Sequence, residues 1–247
     1  MQNRFKIIGV IPARLDSTRL PGKVLRKIGD RAMLHQVYDR ARSSLLLTEL
    51  LVASDSEEVL RYCADREIPS MCTRQHGSGS DRLHEVMQRT DGDIYVNIQG
   101  DEPTLRKDHI DRLLRPLISE KSKISTLKVA IDPATAQDPN CVKVVTDKKG
   151  RALYFSRLPI PCNRDNREDV RYYKHIGLYG YTRSALELFH SLPPSGFEKT
   201  EKLEQLRLLE HGIEILVEET PFDTIGVDTE GDLIKAAAFL AAEEADS

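Results

Sequence analysis

The sequence predicts an α/β fold, a mainly parallel sheet with helices on both faces. Three features carry that prediction. Short apolar runs alternate along the chain with segments of helical period. The run that opens the chain is nearly continuous rather than alternating, as suits a strand buried on both faces. The runs end in loops rich in glycine, hydroxyl groups and charge. Right-handed crossovers between parallel strands would bring those loops to one rim of the sheet.

The first run, Ile7-Ile8-Gly9-Val10-Ile11, stops at Pro12, and the loop after it carries Arg14, Arg19 and Lys23 with Ser17, Thr18 and Gly22. Such a loop fits a polyanion, a triphosphate above all, held beyond the strand's carboxyl end. It is neither a Walker A loop nor a GxGxxG turn. Taken alone it could equally be a solvated basic loop. Ala32 to Ala41 then has helical spacing, and Leu50-Leu51-Val52-Ala53 reads as a strand ending in a helix start at Ser54-Asp55. A helix to about Arg66 and a short strand at Met71-Cys72 complete a second strand–helix–strand unit.

The loop from Thr73 to Arg82 is rich in glycine and serine and opens a helix with Ser80 as the expected cap. Its openness suits a nucleobase or ribose met by backbone groups, or simply a flexible linker. Asp93 to Ile98 is a further buried strand, ending in Gln99-Gly100-Asp101-Glu102-Pro103. A carboxylate just past a strand end could hold a divalent metal against phosphates, or could only cap the next helix.

From Ile124 the pattern changes to alternating strands, with a hairpin signal at Asp147-Lys148-Lys149-Gly150. The polar segment from Arg157 to Tyr172 has the length of an arm or lid. In Lys174 to Tyr181, a strand would put His175, Tyr179 and Tyr181 on one face. Glu198 to Glu210 reads as one charged helix ending at His211-Gly212. Ile213 to Val217 is a strand, and Asp228 stands at a further strand-to-helix junction before a last helix from Asp232 to about Glu243. No repeat or linker divides the 247 residues, so the expectation is a single domain, 1–247, with a strand-rich subregion at about 124–212.

Composition narrows the function. A net charge of −3, with 40% hydrophobic and 30% charged residues, leaves no general nucleic-acid footprint, so an anion site must be local. No apolar run approaches bilayer thickness, and Arg4 and Lys6 running straight into a strand do not resemble a signal peptide. Cys63, Cys72, Cys141 and Cys162 are scattered without a CxxC pair, which points to reduced thiols and away from zinc. The expected compartment is the cytoplasm, with no stable membrane insertion and no nucleic-acid partner. A cation cluster, a glycine-rich loop and two aspartates on one rim would suit phosphoryl or nucleotidyl transfer, where catalysis is mainly positioning and charge neutralisation.

IPARLDSTRLPGK, HGSGSDR, VNIQGDEP, VKVV, ALYFSR, PIP, KHIGLYGY, EKLEQLR and GVDT occur in this order over nearly the whole chain. Together they resemble the 3-deoxy-manno-octulosonate (Kdo) cytidylyltransferases, or CMP-Kdo synthetases. The resemblance implies a Rossmann-like nucleotidyltransferase fold and a homodimer, with 124–212 contributing sugar binding and dimerisation. It implies Mg²⁺-dependent transfer of CMP from CTP to Kdo for lipopolysaccharide synthesis. Arg14 and Lys23 match triphosphate-binding cations, with Arg19 as a third. Asp101 and Asp228 match metal-binding aspartates, and Ser78 and Gly79 fall near the cytidine. Gln99, Arg157, His175, Tyr179, Glu204 and Gln205 match sugar-side residues. For Glu204 and Gln205 the role comes from the resemblance alone, since periodicity reads them as a solvated helix face. Three alternatives stay open: a cytidylyltransferase for 8-amino-Kdo or another acidic sugar, a non-catalytic nucleotide-binding module, and a nicotinamide oxidoreductase, which the missing glycine fingerprint disfavours.

Overall fold

The computed structural model describes residues 4–15, 20–165 and 167–245, without the side chain of residue 244. The chain forms two compact units, Met1–Asp111 with Thr224–Ser247, and Arg112–Asp223. The expected strand-rich subregion lies within the second.

The first unit contains β1 (Ile7–Pro12), the short hairpin strands β2 (Lys27–Ile28) and β3 (Arg31–Ala32), α1 (Met33–Arg42), β4 (Glu49–Ser54), α2 (Glu57–Ala64), β5 (Ser70–Cys72), α3 (Gly79–Gln88) and β6 (Ile94–Asn97). The division between units falls within α4 (Lys107–Ile118). Strands run in the order β6-β1-β4-β5, and every pairing is parallel. In β1, the successive residues Ile7 and Ile8 point to opposite faces, yet both are 0% exposed. Both faces of the sheet are therefore covered, which is why the run reads as continuous apolar sequence. Helix α3 packs on β1 and β6, and α1 and α2 pack on β4.

The second unit contains β7 (Ile124–Ile131), β8 (Lys143–Thr146), β9 (Ala152–Ser156), β10 (Tyr172–Thr182), α5 (Arg183–Ser191), α6 (Gly196–Glu201), α7 (Leu206–Glu210) and β11 (Leu216–Glu219). Strand β7 lies between β11, parallel to it, and β10, antiparallel to it. The predicted hairpin joins β8 to β9, with Gly150 at φ 80° in its turn. Helix α8 (Glu230–Ala245) returns to the first unit, where Val227, Leu233, Ala236 and Leu240 share a buried cluster with Leu20, Ile28 and Met33. That cluster seats the entrance of α8 beside the segment following β1.

Four local expectations are corrected. The segment Glu198 to Glu210 is two helices, because Lys202 takes the left-handed conformation at φ 55° and ends α6. Arg207 then folds back, its Nε donating to Glu198 Oε2 at 2.8 Å. Asp228 follows no strand, since 221–228 is irregular and held by single bonds such as Ile225 N to Thr104 Oγ1 at 2.7 Å. Ser78, not Ser80, caps α3, accepting from Asp81 N at 3.1 Å. Ser56, not Ser54-Asp55, caps α2.

Candidate active site

In the first unit, the loops after β1 and β6 and the approach to α8 meet at one place. Gly22, at φ 65°, occupies a conformation that costs any side chain strain and that turns the chain into a 3-10 turn at Lys23–Leu25. The Lys23 ammonium then donates to Asp101 Oδ2 at 2.6 Å and to Asp228 Oδ1 at 2.9 Å. Burial opposes the lysine's charge, but the Asp101 and Asp228 carboxylates outweigh it and hold its pKa above the ordinary lysine value.

Backbone geometry fixes both carboxylates. Val227 N donates to Asp101 O at 2.9 Å, joining the two loops directly. Gly100 lets the β6 loop pass close to β1, since a Cβ there would stand 3.0 Å from Pro12 O. Asp101 lies well outside α4, and Asp228 lies one residue outside the N-cap of α8. The N-cap of α8 is Thr229, whose Oγ1 accepts from Asp232 N at 3.2 Å while Asp232 Oδ2 accepts from Thr229 N at 3.0 Å. Arg26, just past Lys23, reaches Glu230 with NH2 at 2.8 and 2.9 Å from its two oxygens.

These groups open onto a cleft of ≈ 360 Å³. Arg14, Ser78 and Gly79 also line it, so the triphosphate and cytidine residues expected among the described residues share one cavity, and Gln99, expected on the sugar side, lines the same cavity. The Ser78 hydroxyl is engaged with Asp81, as the cap of α3 and as a donor to Oδ2 at 3.1 Å. Ser17, Thr18 and Arg19 lie outside the described residues. Two lining residues escaped the sequence reading. Arg82, 3% exposed, donates to Asp55 Oδ1 at 2.9 Å and to Thr73 Oγ1. His76 donates through Nε2 to Glu85 Oε2 at 2.6 Å. The partners lie 9 to 27 positions away, beyond the reach of one helical turn, so local pattern reads Arg82 and His76 as ordinary surface residues.

In the second unit, His175 and Tyr179 lie in a row of rings. Phe155 and His175 are 4.9 Å apart at their centroids, His175 and Tyr179 5.4 Å, and Tyr179 and Tyr181 5.7 Å. Thr126 Oγ1 sits 3.0 Å from His175 Nε2. Burial, with Lys174 nearby, drives the imidazole's pKa down to about 3, so the ring is neutral. Burial, with Tyr181 and Glu204 adding, pushes the Tyr179 phenol well above its usual value. Glu204 and Gln205 occupy the break between α6 and α7, and Gln205 is buried there. The expected solvated helix face is therefore an inward turn. Arg157 is committed locally, its Nε donating to Glu201 O at 2.8 Å and NH1 to Pro139 O at 3.1 Å.

The fold and the basic, aspartate-bearing cleft at its strand ends define a nucleotide-handling α/β protein. Residues 8–215 match the family model described as cytidylyltransferase. The chain belongs to the cytidylyltransferase family, a class of nucleotidyltransferases. Within that class, it is similar over nearly its whole length to 3-deoxy-manno-octulosonate cytidylyltransferases. That of Koribacter versatilis is 49% identical over 236 residues, covering 95% of this chain and 90% of the relative. That of Acidobacterium capsulatum is 51% identical over 230 residues, covering 93% and 94%. A solved CMP:2-keto-3-deoxy-manno-octonic acid synthetase complexed with CTP superposes with a TM-score of 0.92 at 43% identity, over 96% of this chain and 99% of that one. A cytidylyltransferase from Leptospira borgpetersenii, at 14% identity and a TM-score of 0.61, shares the fold. Among the described residues, no helix is long and apolar enough to cross a membrane.

Proposed function

We propose that this chain transfers the cytidylyl group of CTP to the anomeric 2-hydroxyl of Kdo, releasing pyrophosphate. The observation that carries the reading is the Asp101–Lys23–Asp228 cluster at the strand-end cleft, in a chain similar over nearly its whole length to Kdo cytidylyltransferases. The resident cofactor in this reading is Mg²⁺. Among the described residues no group of three or more His, Cys, Asp or Glu gathers as a metal cage. Two carboxylates already bracket one cationic group, the Lys23 ammonium. That donor set suits Mg²⁺, which takes one or two carboxylates and completes its shell with water and phosphate oxygens. Asp101 and Asp228 would hold the ion, which supplies charge neutralisation and a more acidic acceptor hydroxyl.

The chain's own groups do the rest. Lys23 and Arg14 neutralise the triphosphate and the charge that builds on the leaving pyrophosphate. Lys23 would exchange a carboxylate partner for phosphate as nucleotide enters. Ser78 and Gly79 border the nucleoside end of the cleft, and Gln99 stands at the turn carrying Asp101. For the acceptor sugar we assign Gln99, His175, Tyr179, Glu204, Gln205 and Arg157, with His175 acting as a neutral hydrogen-bonding group. The acceptor attacks the α-phosphorus in line and pyrophosphate departs opposite. The working form is a cytoplasmic homodimer feeding lipopolysaccharide synthesis.

Pyrophosphate release, measured with each nucleoside triphosphate against Kdo, 8-amino-Kdo and a sialic acid in the presence of Mg²⁺, tests the reading. CTP with Kdo gives the highest rate. A higher rate with 8-amino-Kdo, or none with CTP and Kdo, would overturn it.

A further inference from the structure

Helix α3 carries two buried charges of opposite sign, three residues apart, and both reach back to the loop that precedes it. Arg82 donates to Thr73 Oγ1 and to Arg74 O at 3.4 Å. Glu85, with a side chain 10% exposed, receives Arg74 N at 3.0 Å and His76 Nε2 at 2.6 Å on the same oxygen, Oε2. Its other oxygen, Oε1, accepts from Arg89 NH1 at 3.2 Å. Burial works against this carboxylate's charge, but the bonds from His76, the Arg74 amide and Arg89 outweigh it and keep its pKa below the ordinary glutamate value. A carboxylate in that state only accepts, so the proton on the facing imidazole nitrogen is fixed at Nε2.

His76 meanwhile lines the nucleotide cleft beside Ser78 and Gly79. We propose that His76 is a specificity-determining residue of that cleft and that Glu85 is the positioning residue that sets it. With Nε2–H given to Glu85, His76 offers Nδ1 as an acceptor to a donor group on the bound nucleoside, the exocyclic amine of the base or a ribose hydroxyl. This inference rests on the proposed use of CTP and goes beyond it by naming what reads the nucleoside. Glu85 acts at a distance, in the way that an outer carboxylate sets the tautomer of a ligand-binding histidine. The same carboxylate pins the Arg74 amide, so ring and loop are fixed together.

The test is calorimetric titration of the full chain with CTP, UTP, and the 2′- and 3′-deoxy analogues of CTP. In H76A, affinity for CTP falls about tenfold, the worth of one well-placed hydrogen bond. One preference disappears with it: CTP over UTP if the base amine is the donor, or CTP over a deoxy analogue if a ribose hydroxyl is. E85A reproduces that loss with His76 still present. E85Q retains most of the affinity, because an amide oxygen can still accept from both the ring and the Arg74 amide. An H76A protein with wild-type affinities, or one weakened equally for all four nucleotides, would overturn the inference while leaving the proposed function intact. A wild-type protein that binds no CTP would overturn both. Melting temperatures of each variant separate loop loosening from lost recognition.

Discussion

Lys23 and Asp228, 205 positions apart in the chain, are joined by a 2.9 Å bond from the lysine ammonium to a carboxylate oxygen. The same ammonium lies 2.6 Å from Asp101, 78 positions away. One cation thus ties the loop after β1, the loop after β6 and the approach to α8 into a single cluster.

Replacing that cation tests its two roles together. Lys23→Met leaves two carboxylates facing each other without a counter-charge, so the variant melts below wild type in chelator. Millimolar Mg²⁺ then raises its melting temperature more than it raises that of wild type. Turnover falls on the order of 100-fold, as for loss of a group aimed at developing charge. Equal Mg²⁺ responses in the two proteins would remove the shared-cation account.

Thr229 bears on the site through the backbone. Thr229→Ala deletes the α8 cap and costs about 1 kcal/mol in a denaturant titration. Asp228 is the next residue toward the cleft, so pyrophosphate release also falls severalfold. Unchanged turnover alongside the lost stability would show that the cap does not position Asp228.

His175 gives a pH signature. An unfolded chain protonates this side chain near 6.5, whereas the folded protein does so only near 3. The stability that depends on its neutral form is complete above pH 6.5 and is lost progressively as pH falls toward 3. Between those values, the unfolding free energy of wild type declines with falling pH more steeply than that of His175→Phe. The difference approaches one proton per molecule. Parallel slopes would mean that His175 titrates normally and is not sealed among the rings.

The parts of this site that were legible in the sequence are those bound to the chain's local rules. Arg14 and Asp101 follow apolar runs that could only be buried strands, and parallel topology brings such ends to one rim. Asp228 reads as a residue at a strand-to-helix junction, whereas the segment before it is irregular and only the helix behind it is present. What pattern could not show is which side chains pair across a loop or between elements. Arg82 and Glu85 read as ordinary charges on an amphipathic helix, and only the fold reveals Asp55 and His76 as their partners. The break at Lys202 was equally hidden. No glycine or proline marks it, and it forms because Leu203, Gln205 and Leu206 turn inward while Arg207 closes on Glu198.

The proposed reaction depends on Asp101 and Asp228 holding Mg²⁺ for the triphosphate of CTP. It is tested most directly by pyrophosphate release from CTP and Kdo across a Mg²⁺ titration in wild type, Asp101→Asn and Asp228→Asn. Both variants are predicted to melt as folded proteins and to turn over at least about 100-fold more slowly at every Mg²⁺ concentration. Wild-type rates and wild-type Mg²⁺ dependence in either variant would contradict it.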